Sequence, residues 1–128
     1  MAENIVIRAG GKSFEGELSD SVTGRAIYEA LPIRANGQRW GGEIYFSIGV
    51  SCELEEGSRE VLKEGELAFW PPGQAFCIFF GPTPASGGDE IRAASAVNIV
   101  GRIKGDLSGL QDVPDGAEVR IEKNSRDI

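Results

Sequence analysis

Residues 65–84 read GELAFWPPGQAFCIFFGPTP. Two short apolar runs, Leu67 to Trp70 and Ala75 to Phe80, flank a Pro71-Pro72-Gly73 corner. Proline lacks the N–H that a central strand must donate, so the prolines mark a bend between two strands rather than one long strand. Runs of this length, rich in aromatic residues and bounded by Gly and Pro, predict β-structure. The same punctuation extends outward through eighteen glycines. Asn4 to Ala9 reads as a strand, Gly10-Gly11 as a hairpin turn and Ser13 to Leu18 as the return. Glu43 to Val50 alternates, with Ile44, Phe46 and Ile48 on one face and Glu43, Tyr45 and Ser47 on the other. Ser95 to Ile103 and Glu118 to Glu122 complete seven or eight short strands. One main helix interrupts them, begun by Ser19-Asp20-Ser21, carrying Val22, Ala26, Ile27, Ala30 and Leu31 on one face, and ended by Pro32. A short helical turn is expected around Asp106 to Gln111. Arg34 to Gly41 reads as a polar loop, and the carboxylate-rich stretch Glu53 to Glu66 as a solvated rim. The expectation is a mostly β, closed mixed barrel in a single domain over residues 1–123, with a polar tail over 124–128.

The chain has 128 residues, 20 acidic against 13 basic, a formal charge of -7 and no histidine. Without imidazole there is no Ser-His-Asp or Cys-His nucleophile, no histidine metal site and no histidine pH switch. The acidic balance argues against nucleic acid and anionic membranes as partners, because both require a basic footprint. The longest apolar run, Phe76 to Phe80, is far too short to span a bilayer. The amino-terminal residues lack a basic stretch followed by an apolar one, so no signal peptide is expected. Cys52 and Cys77 read as reduced thiols of a cytoplasmic protein, Cys77 within a strand. No Walker loop, dinucleotide fingerprint or nucleophile elbow occurs, and no cofactor is expected.

Several residues nevertheless suggest a pocket. Trp70 stands beside the rigid proline corner, where an amphipathic ring serves equally as pocket lining or as core. Glu43 opens an apolar strand just after Trp40-Gly41-Gly42. It reads either as an exposed strand-end carboxylate or as one half-enclosed by Trp40 and Tyr45, where its charged form would be disfavoured. Phe76 occupies the position that a cupin-like corner would give to a histidine ligand, so no metal site follows. Arg34 and Arg92 are loop cations able to hold a carboxylate or phosphate. Ser95 and Asn98 offer polar groups to a cavity or to neighbouring backbone.

The blocks RWGGEIYFSIGV (39–50), GELAFWPPGQAFCIFFGPTP (65–84) and AASAVNIVGRI (93–103) resemble a family of small prokaryotic cyclophilin-like proteins of unassigned function. The resemblance implies a closed eight-stranded cyclophilin-like β-barrel with one main helix and one short helix. In true cyclophilins, prolyl isomerisation is attributed to an arginine on a strand similar to Glu43-Ile44-Tyr45-Phe46-Ser47-Ile48, which here has no arginine; the pocket histidine is also missing. The leading expectation is a protein that binds a small molecule or short peptide in a pocket lined by Trp40, Glu43, Tyr45, Trp70, Phe76, Thr83, Ser95 and Asn98. Two alternatives are a prolyl isomerase with an altered active site, into which Arg34 or Arg39 reaches, and a non-catalytic module forming a homodimer through a sheet edge or apolar patch. Glu43 is also the candidate general base.

Overall fold

A computed structural model describes residues 2–124. The polar tail expected beyond Lys123 therefore lies, from residue 125 onward, outside the described residues. The chain opens with β1 (Glu3–Ala9) and β2 (Lys12–Leu18), joined at Gly10 and Gly11, whose φ values of 57° and 84° are those a tight hairpin turn requires. Helix α1 (Val22–Glu29) follows, and then β3 (Ile33–Asn36), β4 (Gln38–Arg39), β5 (Glu43–Ser47), β6 (Arg59–Leu62) and β7 (Glu66–Trp70). A 3-10 turn at Pro71–Gly73 makes the expected corner into β8 (Ala75–Phe79). The long β9 (Ile91–Lys104), a second 3-10 turn (Ser108–Asp112) and β10 (Glu118–Lys123) complete the described chain.

All strand pairs are antiparallel, in the order β3-β10-β1-β2-β9-β7-β8-β5-β4, with β6 pairing alongside β9. Among the described residues the fold is thus mostly β, a ten-stranded antiparallel sheet with one α-helix. Its main core gathers Ile5, Ile7, Leu18, Phe46, Phe69, Phe76 and Ile121 from facing strands, and the Phe46 and Phe76 ring centroids lie 5.7 Å apart.

Ten strands form where seven or eight were expected. The supposed polar loop at 34–41 contains β4 and all but the first residue of β3, and the supposed solvated rim at 53–66 contains β6. These segments are short and mostly exposed, so each buries too few side chains to show an alternating pattern in sequence. The helix is capped as expected, with Ser21 Oγ accepting from the Gly24 N–H at 3.0 Å. Of the expected face, Ile27 and Leu31 enter the core and Ala26 packs against it, whereas Val22 is 66% exposed and Ala30 is exposed; Thr23 and Gly24 are buried beside Ile27. Gly24 makes the close approach. A Cβ there would lie 2.4 Å from the Ser19 carbonyl oxygen, so the helix docks on a residue without a side chain. Glu55, from the acidic stretch, accepts from the Thr23 N–H at 2.9 Å and anchors the start of the same helix.

Candidate functional site

Strand alternation divides β5, β7 and β8 between two faces. Ile44, Phe46, Leu67, Phe69, Phe76 and Ile78 enter the main core. On the opposite face, β6 and the first half of β9 add Leu62, Ile91, Ala93 and Val97 to Ala68, Ala75, Cys77 and Phe79, forming a second, smaller cluster. Ala93, Ala94 and Cys77 are small, and the space they leave is a cavity of about 120 Å³. Buried Glu43, Cys77, Ala93 and Val97 form its base. Half-buried Trp40, Tyr45 and Trp70, with exposed Ala94, form its mouth.

Glu43 is held at that base by the backbone around it. The Gly42 N–H donates to the Pro82 carbonyl and the Phe80 N–H to the Gly42 carbonyl, both at 2.8 Å, while the Trp40 N–H donates to the Glu43 carbonyl at 2.9 Å. Gly42 packs so tightly on Gly81 that a Cβ would fall 2.3 Å from a backbone carbon. The side chain of Glu43 is consequently only 5% exposed. Burial raises its pKa to about 7, and the neighbouring Cys77 thiol offsets only part of that effect. Burial, together with the Glu43 charge, pushes the Cys77 thiol well above its ordinary value. At neutral pH the cavity therefore holds a carboxyl poised between its two protonation states beside a protonated thiol.

The aromatic residues are fixed from outside the cavity. The indole N–H of Trp70 donates to Ser95 Oγ at 2.7 Å, and Gly73 lies so close to the ring that a Cβ would sit 2.9 Å from it. The Tyr45 hydroxyl donates to Gln38 Oε1 at 3.0 Å. With their polar atoms engaged elsewhere, both rings present mainly apolar π surface to a ligand.

The structure thus brings together Trp40, Glu43, Tyr45 and Trp70, and disperses the other residues expected at the site. Phe76 belongs to the main core on the far side of β8, because it alternates with Cys77. Thr83 accepts from the Ala85 N–H at 3.2 Å and donates to the Arg92 carbonyl, fixing the loop that precedes β9. Asn98 is buried: its Oδ1 accepts from the Glu55 N–H at 2.7 Å, and its Nδ2 donates to Thr23 Oγ1 and the Glu53 carbonyl. Ser95 supports Trp70 and does not line the cavity. The arginines point elsewhere. Arg34 pairs with Glu118, and Arg92 with Glu90 and Glu60. Arg39 donates to the carbonyls of Gly41, Gln111 and Val113, with its guanidinium 5.1 Å from the centroid of Phe80. Among the described residues that line the cavity, then, there is no cation to ease the twisting of a prolyl amide. Sequence reasoning missed Cys77, Ala93, Ala94 and Val97 as lining. The available signal was that Cys77 shares the Tyr45 face across the strand pair and that Ala93-Ala94 are too small to fill space.

A family model described as cyclophilin-like matches residues 3–122. Among solved structures, the chain is similar to the solution structure of the hypothetical protein AF2241 from Archaeoglobus fulgidus. The two are 43% identical, with a TM-score of 0.79, and the match covers 96% of this chain and 95% of that one. No match is found among curated proteins.

Proposed function

This chain belongs to the cyclophilin-like family, and on that premise we propose that it is a binding protein that takes a small molecule, or one side chain of a short peptide, into the cavity framed by Trp40, Tyr45 and Trp70. The observation that carries this reading is the buried Glu43 carboxyl at the base of an otherwise apolar cavity. Burying a carboxyl is costly, and a site that keeps one has a polar group ready to orient a ligand. We also infer that the sheet closes into a barrel. β3 and β4, at opposite ends of the strand order, are separated in the chain by Gly37 alone. A Cβ on Gly37 would lie 2.8 Å from Ile44 and 3.0 Å from Val119, so this residue is wedged between β5 and β10.

Trp40 and Trp70 are the two tryptophans of the chain, so intrinsic fluorescence reports directly on the cavity mouth. A library of metabolites and short peptides, screened by thermal shift, is expected to yield a ligand that raises Tm and perturbs this fluorescence. A ligand at one hundred times its Kd stabilises the folded state by about 2.7 kcal/mol. Trp70→Ala should weaken binding while leaving the fold intact. A ligand that raises Tm equally in Trp70→Ala, with no change in wild-type fluorescence, would place binding elsewhere and overturn the reading.

A further inference from the structure

Resting on that reading of the cavity, we propose that its ligand is a compact organic cation, an alkylated ammonium group received by Trp40, Tyr45 and Trp70 against the carboxylate of Glu43. Three observations converge on this class. The first is charge. Among the described residues, Glu43 is the one carboxylate in the lining, and the lining contains no lysine or arginine. Arg39, the nearest guanidinium in sequence, is committed to three backbone carbonyls. An anionic ligand would meet an uncompensated carboxylate, whereas a cation supplies the missing partner. The second is the aromatic mouth. Two indoles and a phenol offer π faces, which attract cations most strongly where water is excluded, and tryptophan is the best of the aromatic side chains for this purpose. The third is size. A cavity of about 120 Å³ is slightly smaller than the roughly 150 Å³ apolar cavity that accepts benzene, so it suits a methylated ammonium head but not a fused ring system.

The site also implies a pH dependence. A cation needs Glu43 ionised, and Glu43 changes state near neutrality. The other titratable groups facing it are Tyr45 on β5 and Cys77 on β8; Arg92, adjacent to Ala93 on β9, is held by Glu60 and Glu90. The Cys77 thiol stays protonated over this range. Cation affinity should therefore rise about tenfold between pH 6 and pH 8 as Glu43 loses its proton.

Choline and its uncharged carbon isostere, 3,3-dimethylbutan-1-ol, are matched probes with the same shape and different charge. Titrations followed by tryptophan fluorescence should show choline binding at least about tenfold more tightly than the alcohol at pH 8. The preference should shrink at pH 6 in the wild-type protein and shrink likewise at pH 8 in Glu43→Gln, where only the aromatic faces remain to attract the cation. The wild-type pH comparison stands even where the variant folds poorly. Equal or tighter binding of the alcohol at pH 8 overturns the cation assignment and leaves the small-ligand reading in place. So does a library ligand that is neutral or anionic, occupies the cavity and excludes choline. A choline preference unchanged by pH and by Glu43→Gln removes Glu43 from the recognition and also overturns the proposal. The small-ligand reading fails only by its own test, in which Trp70→Ala and wild-type fluorescence place every ligand elsewhere.

Discussion

Glu43 on β5 and Cys77 on β8 face the same cavity from adjacent antiparallel strands: Tyr45 stands opposite Cys77, and Glu43 lies two residues away on the same face. Residues so placed are diagonal neighbours within reach of each other. A carboxyl and a thiol are thereby buried together on one face, and burial favours the neutral form of each. This pair gives the cavity its chemistry and makes several of its properties measurable.

Stability should fall as pH rises through the range in which Glu43 ionises. Its pKa is about 7 in the folded protein against 4.5 for the ordinary group. The folded state therefore holds this proton more tightly than the unfolded chain does. Its contribution to stability is fully present below pH 4.5, declines as pH rises to about 7, and is constant beyond. Glu43→Gln, which never ionises, should gain on the wild type by about 2–3 kcal/mol between pH 5 and pH 8. Urea unfolding of both proteins at the two pH values measures this gap, and a pH-independent difference would refute it.

The two cysteines should differ in reactivity. Cys77 is 2% exposed with a raised pKa, whereas Cys52 is partly exposed. Thiolate is the reactive form, so a disulfide reagent at pH 8 should modify Cys52 in the native protein and reach Cys77 only on unfolding. Mass spectrometry of the modified peptides identifies the site. Rapid native labelling of Cys77 would contradict the burial described.

Asn98→Ala should destabilise the fold by about 2–4 kcal/mol without altering ligand selectivity. Asn98 satisfies the Glu55 N–H, Thr23 Oγ1 and the Glu53 carbonyl at once, tying the start of the helix to the 53–55 segment. Removing its side chain strands buried polar groups, and each one costs on the order of 1–3 kcal/mol. Thermal or chemical unfolding measures the loss, and choline titration at a permissive temperature checks that the cavity is unaffected.

Gly42→Ala should be more damaging than an ordinary surface substitution. The new methyl group would meet the Gly81 backbone at 2.3–2.5 Å, and neither side of that contact has a flexible side chain to move. Overpacking of this kind costs typically about 1–3 kcal/mol and occasionally more. Because Gly42 precedes Glu43 directly, the tryptophan emission spectrum should change together with the loss of stability.

The strongly patterned part of the fold is legible in the sequence. The Gly10-Gly11 hairpin, the Pro71-Pro72-Gly73 corner and the strands at 67–70 and 75–79 all fall where local chemistry placed them. β3, β4 and β6 were not legible, because two to four mostly exposed residues contain no period. At the cavity, the large residues Trp40, Glu43, Tyr45 and Trp70 stood out in sequence, and the small ones did not, since an alanine lines a cavity only by what it leaves empty.

The sequence by itself determined that this chain is β-rich, acidic, without imidazole chemistry, and marked by aromatic residues beside one carboxylate. Those properties follow from composition, turn residues and period-two alternation, which act over a few residues. Only the tertiary structure decided that Phe76 turns into the main core while its neighbour Cys77 turns to Glu43, and that Asn98 and Thr83 support the framework instead of the cavity. The physical reason is that adjacent side chains on a strand face opposite ways. Which way is inside, and what covers the other face, depends on pairing with strands far away in the chain, and no local pattern contains that information.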